Sequence, residues 1–97
     1  MAPTRLYFIA YDVSSPKRWR RVYKTIRQHG AWQQFSAFVC RLTPRAREGL
    51  EAELRRQMDA ASDRLMIVDL GSGPEAEERL RRFGDMPGLP APRARIF

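Results

Sequence analysis

Apolar residues in this chain fall into two kinds of pattern, short continuous runs and stretches with helical spacing. The runs LYFIAYDV (residues 6–13) and DRLMIVDLG (residues 63–71) are rich in β-branched and aromatic residues and are too short for helices. Both therefore predict buried strands, the second closed by Gly71. The first run is apolar on both faces, which predicts a central strand of a sheet.

Two stretches have the spacing of amphipathic helices. In the first, Ser15 can act as the N-cap and Pro16 as the first helical residue, and Gly30 is a natural stop. The core-facing stripe of this helix consists of Trp19, Val22, Tyr23 and Ile26. In the second, Thr43 and Pro44 repeat the same start. Its apolar positions are Leu50, Leu54 and Met58.

The segment from Trp32 to Leu42 is again β-prone, and it reads equally well as one bent strand or as two short strands that break near Ser36. The resulting order is strand, helix, strand or hairpin, helix, strand. This order predicts an α+β sandwich with both helices on one face of the sheet.

The C-terminal part of the chain is harder to interpret. EAEERLRRFG (residues 75–84) fits a short helix or an arginine-rich strand, and three prolines follow before the terminal Ile96 and Phe97. We expect a single domain over residues 1–97, with a core of about residues 5–71. Residues 72–97 would form a tail whose apolar end adds to the sheet edge of a partner subunit.

Charge is distributed unevenly along the chain. The 97 residues carry a net charge of +7, from 18 Lys and Arg against 11 Asp and Glu, and the excess lies in residues 1–50. The single cysteine, Cys40, is expected to be a small core residue of a protein from a reducing compartment. No cleavable leader and no membrane-spanning run are evident, so a cytoplasmic protein is expected.

The first predicted helix is crowded with bases. No acidic residue occurs from Val13 through Arg47, whereas solvated helices usually mix the two signs. A polyanion that contacts the helix through its phosphates is therefore favoured over a merely solvated surface. The candidate nucleic-acid-binding residues are Lys17, Arg18, Arg20, Arg21, Lys24 and Arg27.

Asp12 is the candidate metal ligand, because it stands where the first strand ends. Mg²⁺ often takes only one or two protein carboxylates, so two copies of Asp12 meeting across a twofold axis would suffice. The alternative is that Asp12 caps the turn by accepting hydrogen bonds from Ser14, Ser15 or nearby amides. The sequence lacks other hydrolase motifs and a second histidine, so any cleavage would need a metal-activated water.

Three features together resemble the CRISPR-associated protein 2 family. They are a strand ending in YDV, an arginine-rich helix that closes on Gly30, and QFSAF from Gln34 to Phe38. The resemblance covers roughly Leu6 to Gly71. One position departs from it, because Trp19 stands seven residues after Asp12, where many members have a base.

The resemblance implies a ferredoxin-like βαββαβ fold and a symmetric homodimer. Asp12 would be the catalytic metal ligand for Mg²⁺ or Mn²⁺, facing its copy across the ion, and Phe38 would lie near the dimer centre. The implied partners are DNA or single-stranded RNA and the subunits of the CRISPR integrase.

The implied function is a metal-dependent endonuclease of RNA or DNA that takes part in spacer acquisition. One alternative is a scaffold that binds DNA without cutting it. Another is a ferredoxin-like RNA-binding or regulatory module, for which the sheet would need exposed aromatics, with Tyr7, Phe35 and Phe38 as candidates.

Overall fold

A computed structural model describes residues 3–90 of the chain. Within this range the elements follow one another as β1 (Arg5–Asp12), α1 (Pro16–Arg27), β2 (Gly30–Gln34), β3 (Ala37–Leu42), α2 (Pro44–Gln57), β4 (Arg64–Gly71) and α3 (Pro74–Glu78). The predicted N-caps are confirmed. The Ser15 hydroxyl accepts a hydrogen bond from the Arg18 amide at 3.2 Å, and that of Thr43 accepts one from the Ala46 amide at 3.1 Å.

The four strands form one antiparallel sheet in the order β2-β3-β1-β4. β1 is central, as its two apolar faces predicted. Its residues Tyr7, Ile9 and Tyr11 share a core with buried residues of both long helices, so α1 and α2 cover the same face. The α+β, ferredoxin-like βαββαβ arrangement is therefore confirmed. The helix residues of this core are Val22 and Ile26 of α1 and Leu50 and Leu54 of α2.

The β-prone segment between the helices forms a hairpin of two strands. Gln34 pairs with Ala37, so only Phe35 and Ser36 form the turn. Phe35 has a φ of 44°, the left-handed region that bulky residues rarely adopt. The hairpin resolves the choice between one bent strand and two short ones in favour of two.

Gly30 does not end α1, although the sequence pattern predicted a stop there. The helix ends at Arg27 with Gln28 as its C-cap, and Gly30 is the first residue of β2. A Cβ atom at Gly30 would lie 2.4 Å from Sγ of Cys40 on β3. The close approach of the two strands, and not a helix stop, therefore requires glycine here.

β4 is only partly buried, in contrast to the predicted buried strand. Leu65 and Ile67 pack against the helix-covered core, but Met66 and Val68 on the other face are 65% and 46% exposed. The reason is that α1 and α2 both cover one face. An apolar run shows that a strand is hydrophobic but not what covers each of its faces.

The segment after β4 folds back over part of the uncovered face. Ala76 is buried with Leu6 and Val39, and Leu80 and Leu89 pack against this cluster. Arg41 of β3 pairs with Glu77 at 2.9 Å. Residues 75–78, the start of EAEERLRRFG, are thus helical, and no strand occurs between residues 72 and 90. The strand expected at Ile96 and Phe97 lies outside the described residues.

Two smaller expectations can be compared with the structure. Cys40 is fully buried in the core, as predicted, and burial raises the pKa of its thiol to about 12. Across residues 3–90, none of the helices has the length and apolar character that crossing a membrane requires.

Candidate metal and nucleic-acid site

Asp12 lies on the sheet face that α1 and α2 leave uncovered. In the antiparallel register Phe8 faces Val68, Ala10 faces Met66 and Asp12 faces Arg64 across β1 and β4. Alternate residues of a strand share a face, so the Asp12 carboxylate and this apolar group point to the same side. We call the surface of Phe8, Ala10, Met66 and Val68 the open face.

The Asp12 side chain is exposed and uncommitted. Among residues 3–90, no donor hydrogen-bonds to its carboxylate and no base lies within ion-pair distance of it. The interpretation of Asp12 as the cap of the following turn is therefore not supported. Its carboxylate oxygens are available to an external ligand.

Asp63, directly before β4, caps that turn instead. Its side chain is buried and accepts two hydrogen bonds from the Arg18 guanidinium, at 2.9 Å from Nε and 3.2 Å from Nη2. It also accepts from the backbone amides of Ser14 at 3.1 Å and Asp59 at 2.8 Å. This cluster ties the β1–α1 turn to the α2–β4 turn, and so fixes the backbone directly after Asp12.

The cluster is an ion pair over the whole physiological pH range. The Arg18 guanidinium and the Asp59 amide hold the pKa of the Asp63 carboxyl well below its usual range, because both stabilise the charged form. The same contact raises the pKa of Arg18. The two partners stand 45 residues apart, and nothing in the sequence pattern pointed to Asp63.

The structure separates the six predicted nucleic-acid-binding residues into two groups. Arg18 is committed to Asp63 and faces the α2–β4 turn. The other five are exposed, and none of them forms an ion pair with a carboxylate of the part of the chain that the structure describes. These five are Lys17, Arg20, Arg21, Lys24 and Arg27.

The two sides of α1 face different surroundings. Thr25 accepts a hydrogen bond from Gln57 of α2 at 2.9 Å, and Arg18, seven residues earlier, lies on the same side. Arg20 and Arg27 are about half a turn away from these residues, so they face outward over the β2 edge. The Arg27 guanidinium lies 5.9 Å from the centre of the Tyr23 ring.

Phe38 is not at the surface. It is fully buried on the helix-covered face, where its ring packs against Tyr11 and edge-on against Tyr23 at a centroid distance of 5.5 Å. It therefore exposes no area of its own to a second copy, and its place near the dimer centre stays a prediction. The alternation of β3 explains this burial, since Phe38 faces Ile9, a core residue, across the sheet.

Whether the residues fit a divalent ion depends on a second copy of the chain. Among residues 3–90, no group of three or more His, Cys, Asp or Glu side chains is placed to hold a metal. Asp12 provides one exposed carboxylate with unoccupied lone pairs. One protein carboxylate alone is a weak site for Mg²⁺ or Mn²⁺, and the Asp12 of a second copy would supply the second carboxylate, with waters as the remaining oxygen ligands.

The chain is similar to named relatives and to solved structures over most of its length. It is 36% identical over 78 residues to a protein of Rhodospirillum rubrum named CRISPR-associated endoribonuclease Cas2 1, covering 80% of this chain and 76% of that relative. A hypothetical protein of Thermus thermophilus superposes with a TM-score of 0.76 at 29% identity, covering 90% of this chain and 99% of that one. Streptococcus pyogenes Cas2 superposes with a TM-score of 0.70 at 27% identity, covering 81% and 99%.

A family model places these similarities in one group. Residues 5–77 match the model described as CRISPR associated protein Cas2. That range contains Asp12, the basic helix α1, the hairpin and the Asp63 cluster. The chain therefore belongs to the Cas2 family of CRISPR-associated proteins.

Proposed function

We propose that this protein is a homodimeric, metal-dependent endonuclease of RNA or DNA that acts with the integrase subunits in CRISPR spacer acquisition. The observation that carries the proposal is the Asp12 carboxylate, which is exposed and uncommitted while a buried ion pair fixes the turn behind it. The relatives' names support nuclease activity, and the role in spacer acquisition and the integrase partner are what the family resemblance implies.

The open face supports the homodimer. Met66 and Val68 are exposed beside the half-buried Phe8 and Ala10, although large apolar side chains normally avoid water in such clusters. Covering this face with a second copy would remove apolar area from water. Because Asp12 lies on the same side of β1, the same contact would bring a second Asp12 towards the first.

The residues of this chain then have separate roles. Two Asp12 carboxylates would hold Mg²⁺ or Mn²⁺, which supplies a Lewis acid and an activated water for phosphodiester hydrolysis. The five unpaired bases of α1 would bind phosphates and hold the strand in place. Asp63 and Arg18 would position Asp12 without touching the substrate.

The test compares cleavage by the wild type and by Asp12→Asn. Labelled single-stranded RNA and duplex DNA are incubated with Mg²⁺, Mn²⁺ or EDTA, and the products are separated on gels. We expect cleavage by the wild type with a divalent ion only. Cleavage by Asp12→Asn should fall to the level of the EDTA control, because the amide keeps the shape of the carboxylate but not the charge that attracts the metal.

Glu48→Gln is the matched control. It also removes one carboxylate charge, but on the exposed side of α2, where the Glu48 side chain is 69% accessible. Cleavage by Glu48→Gln should equal that of the wild type. Undiminished, metal-dependent cleavage by Asp12→Asn would show that the nuclease site lies elsewhere.

The second candidate function is a DNA-binding scaffold that does not cut. The bases of α1 favour it, since they bind phosphates whether or not hydrolysis follows. The scaffold replaces the nuclease if no metal yields cleavage, while Asp12→Asn still binds DNA and still supports integration together with the integrase.

The third interpretation, an RNA-binding module that reads bases on its sheet, loses its support. Tyr7 and Phe38 are buried under the helices, and only Phe35 of the three candidate aromatics is exposed. Its place in the hairpin turn, and not on the sheet, suggests another use.

A further inference from the structure

Two aromatic side chains at the β2–β3 hairpin are exposed without a packing reason. Phe35 is 86% exposed and Trp32 is 41% exposed. The Trp32 indole N–H donates a hydrogen bond to the Phe35 carbonyl at 2.8 Å, so the indole supports the turn that presents Phe35. We call these two residues the hairpin platform.

The backbone at Phe35 is unfavourable for this residue type. With a φ of 44° it occupies a turn position where Gly, Asn and Asp are the preferred residues, because they lack bulk at Cβ or can hydrogen-bond locally. A bulky aromatic there costs stability and gains no buried area. Such strain at an exposed residue is more often found at functional sites than elsewhere.

The platform is tied to the candidate site by short contacts. The carbonyl oxygen of Ser36, the next residue of the turn, accepts a hydrogen bond from the Tyr11 amide at 3.1 Å. Its hydroxyl accepts one from the Trp19 indole of α1, also at 3.1 Å. Asp12 follows Tyr11 directly, so the hairpin turn and the candidate metal ligand lie at the same end of the sheet.

The helix that contacts the hairpin turn through Trp19 also carries bases on its side away from α2. Arg20, Lys24 and Arg27 occupy the side of α1 that faces outward over the β2 edge, opposite to Arg18. No acidic residue occurs between Val13 and Arg47, the range that contains α1 and the hairpin. The edge therefore combines exposed aromatic faces with unneutralised positive charge, the combination by which proteins hold unpaired nucleotides.

We propose that Phe35 and Trp32 are a base-stacking platform that holds unpaired nucleotides next to Asp12, while Arg20, Lys24 and Arg27 bind their phosphates. The inference rests on the proposed nucleic-acid-binding function and adds to it the residues that distinguish a single strand from a duplex. In a duplex the base faces are already stacked, so the platform gains nothing from it.

The test measures binding without cleavage. A fluorescein-labelled RNA of about 12 nucleotides, within the site sizes of single-strand binders, and a duplex DNA of the same length are titrated in EDTA, with anisotropy as the readout. Phe35→Asn should weaken binding of the single strand at least about fivefold, the lower end of the stacking contribution per base, and leave duplex binding unchanged. The slope of affinity against salt should stay the same, because every phosphate-binding base is retained.

Three further measurements separate folding and phosphate contacts from stacking. The melting temperature of Phe35→Asn should not fall, since Asn tolerates positive φ, so a weaker affinity would not reflect unfolding. Glu48→Gln, the control used above on the exposed side of α2, should bind the single strand like the wild type. Arg20→Ala with Arg27→Ala should lower the salt slope by about 0.7 for each phosphate that is no longer neutralised.

The outcomes distinguish this inference from the proposed function. Wild-type protein that binds neither RNA nor DNA would contradict the proposed function itself. If the wild type binds the single strand and Phe35→Asn binds it with the same affinity, only the inference of a stacking platform is overturned. A smaller oligomer for Phe35→Asn in sedimentation, with unchanged binding per subunit, would also overturn it and show that the platform contacts a second copy.

Discussion

Asp63 shows how a single residue can organise a site that it does not enter. Its buried carboxylate joins the β1–α1 turn to the α2–β4 turn through Arg18, Ser14 and Asp59. Removing one partner of such a cluster leaves hydrogen-bonding groups unsatisfied in a buried place, which costs more than the contact itself contributes.

We therefore predict that Asp63→Asn lowers the melting temperature at pH 7 by several degrees. In acid the melting temperature of the wild type should approach that of Asp63→Asn. Because the folded state lowers the pKa of Asp63, its contribution is complete above the unfolded value of about 4 and disappears as the pH falls from there towards the lower folded pKa. Thermal melts of both proteins from neutral pH down into strong acid measure the difference.

Asp85→Asn is the control for this experiment. Asp85 is exposed and makes no ion pair within residues 3–90, so its substitution should leave the melting temperature unchanged. A gap between wild type and Asp63→Asn that stays constant into strong acid would mean that the charge of Asp63 does not hold the turn.

At the scale of elements, the contact between β2 and β3 depends on one glycine. A Cβ atom at Gly30 would meet Sγ of Cys40 at 2.4 Å and the Val39 carbonyl oxygen at 2.6 Å. The second of these atoms belongs to the backbone and cannot move aside. The hairpin carries the platform at its turn, so its geometry affects both stability and the proposed site.

Gly30→Ala should destabilise the protein by about 1–3 kcal/mol, as overpacking does elsewhere. Gly49→Ala is the matched control, and we expect it to stabilise the protein instead. Gly49 lies inside α2 with nothing within 4 Å of an added Cβ, and alanine in a helix is favoured by about 0.5–1 kcal/mol. Urea unfolding at one protein concentration measures the stability of both variants and of the wild type. If Gly30→Ala is as stable as the wild type, β2 and β3 do not approach each other as closely at Gly30 as described.

At the scale of the whole molecule, the basic helix and the open face lie on opposite sides of the sheet. The bases of α1 lie on the helix-covered side, whereas Met66 and Val68 are exposed on the open face. A dimer through the open face would leave both basic helices accessible, so that self-association and nucleic-acid binding do not compete. The segment after β4 covers the same side of the sheet around Leu6 and Val39, with Phe8 packed against this cluster, and leaves Met66 and Val68 exposed.

Val68→Lys should convert the proposed dimer to monomer at micromolar concentration, because a charge would have to be buried in an apolar contact. Sedimentation velocity measures the change. Ala52→Lys, on the exposed side of α2, introduces the same side chain away from the open face and should remain dimeric. If Val68→Lys stays dimeric as well, the subunits meet through another surface.

The sequence alone determined the features of the fold that depend on residues close together in the chain. Ser15 and Thr43 cap their helices, since an N-cap bonds to an amide three residues away. The apolar run of β1 correctly predicted a central strand, and element order with the family motifs gave the ferredoxin-like arrangement. Asp12 and the basic helix were also found from local pattern. The roles of metal, nucleic acid and second copy stay predictions.

Only the tertiary structure decided what depends on distant residues and on the side to which a side chain points. The Asp63–Arg18 pair joins positions 45 apart, and such a partner leaves no trace in local periodicity. Phe38 and Val68 are both apolar strand residues, yet one is buried under the helices and the other exposed, because both long helices cover one face. A hydrophobic pattern shows which residues tend to be buried, and the packing of helices and strands decides which of them are buried in the folded protein.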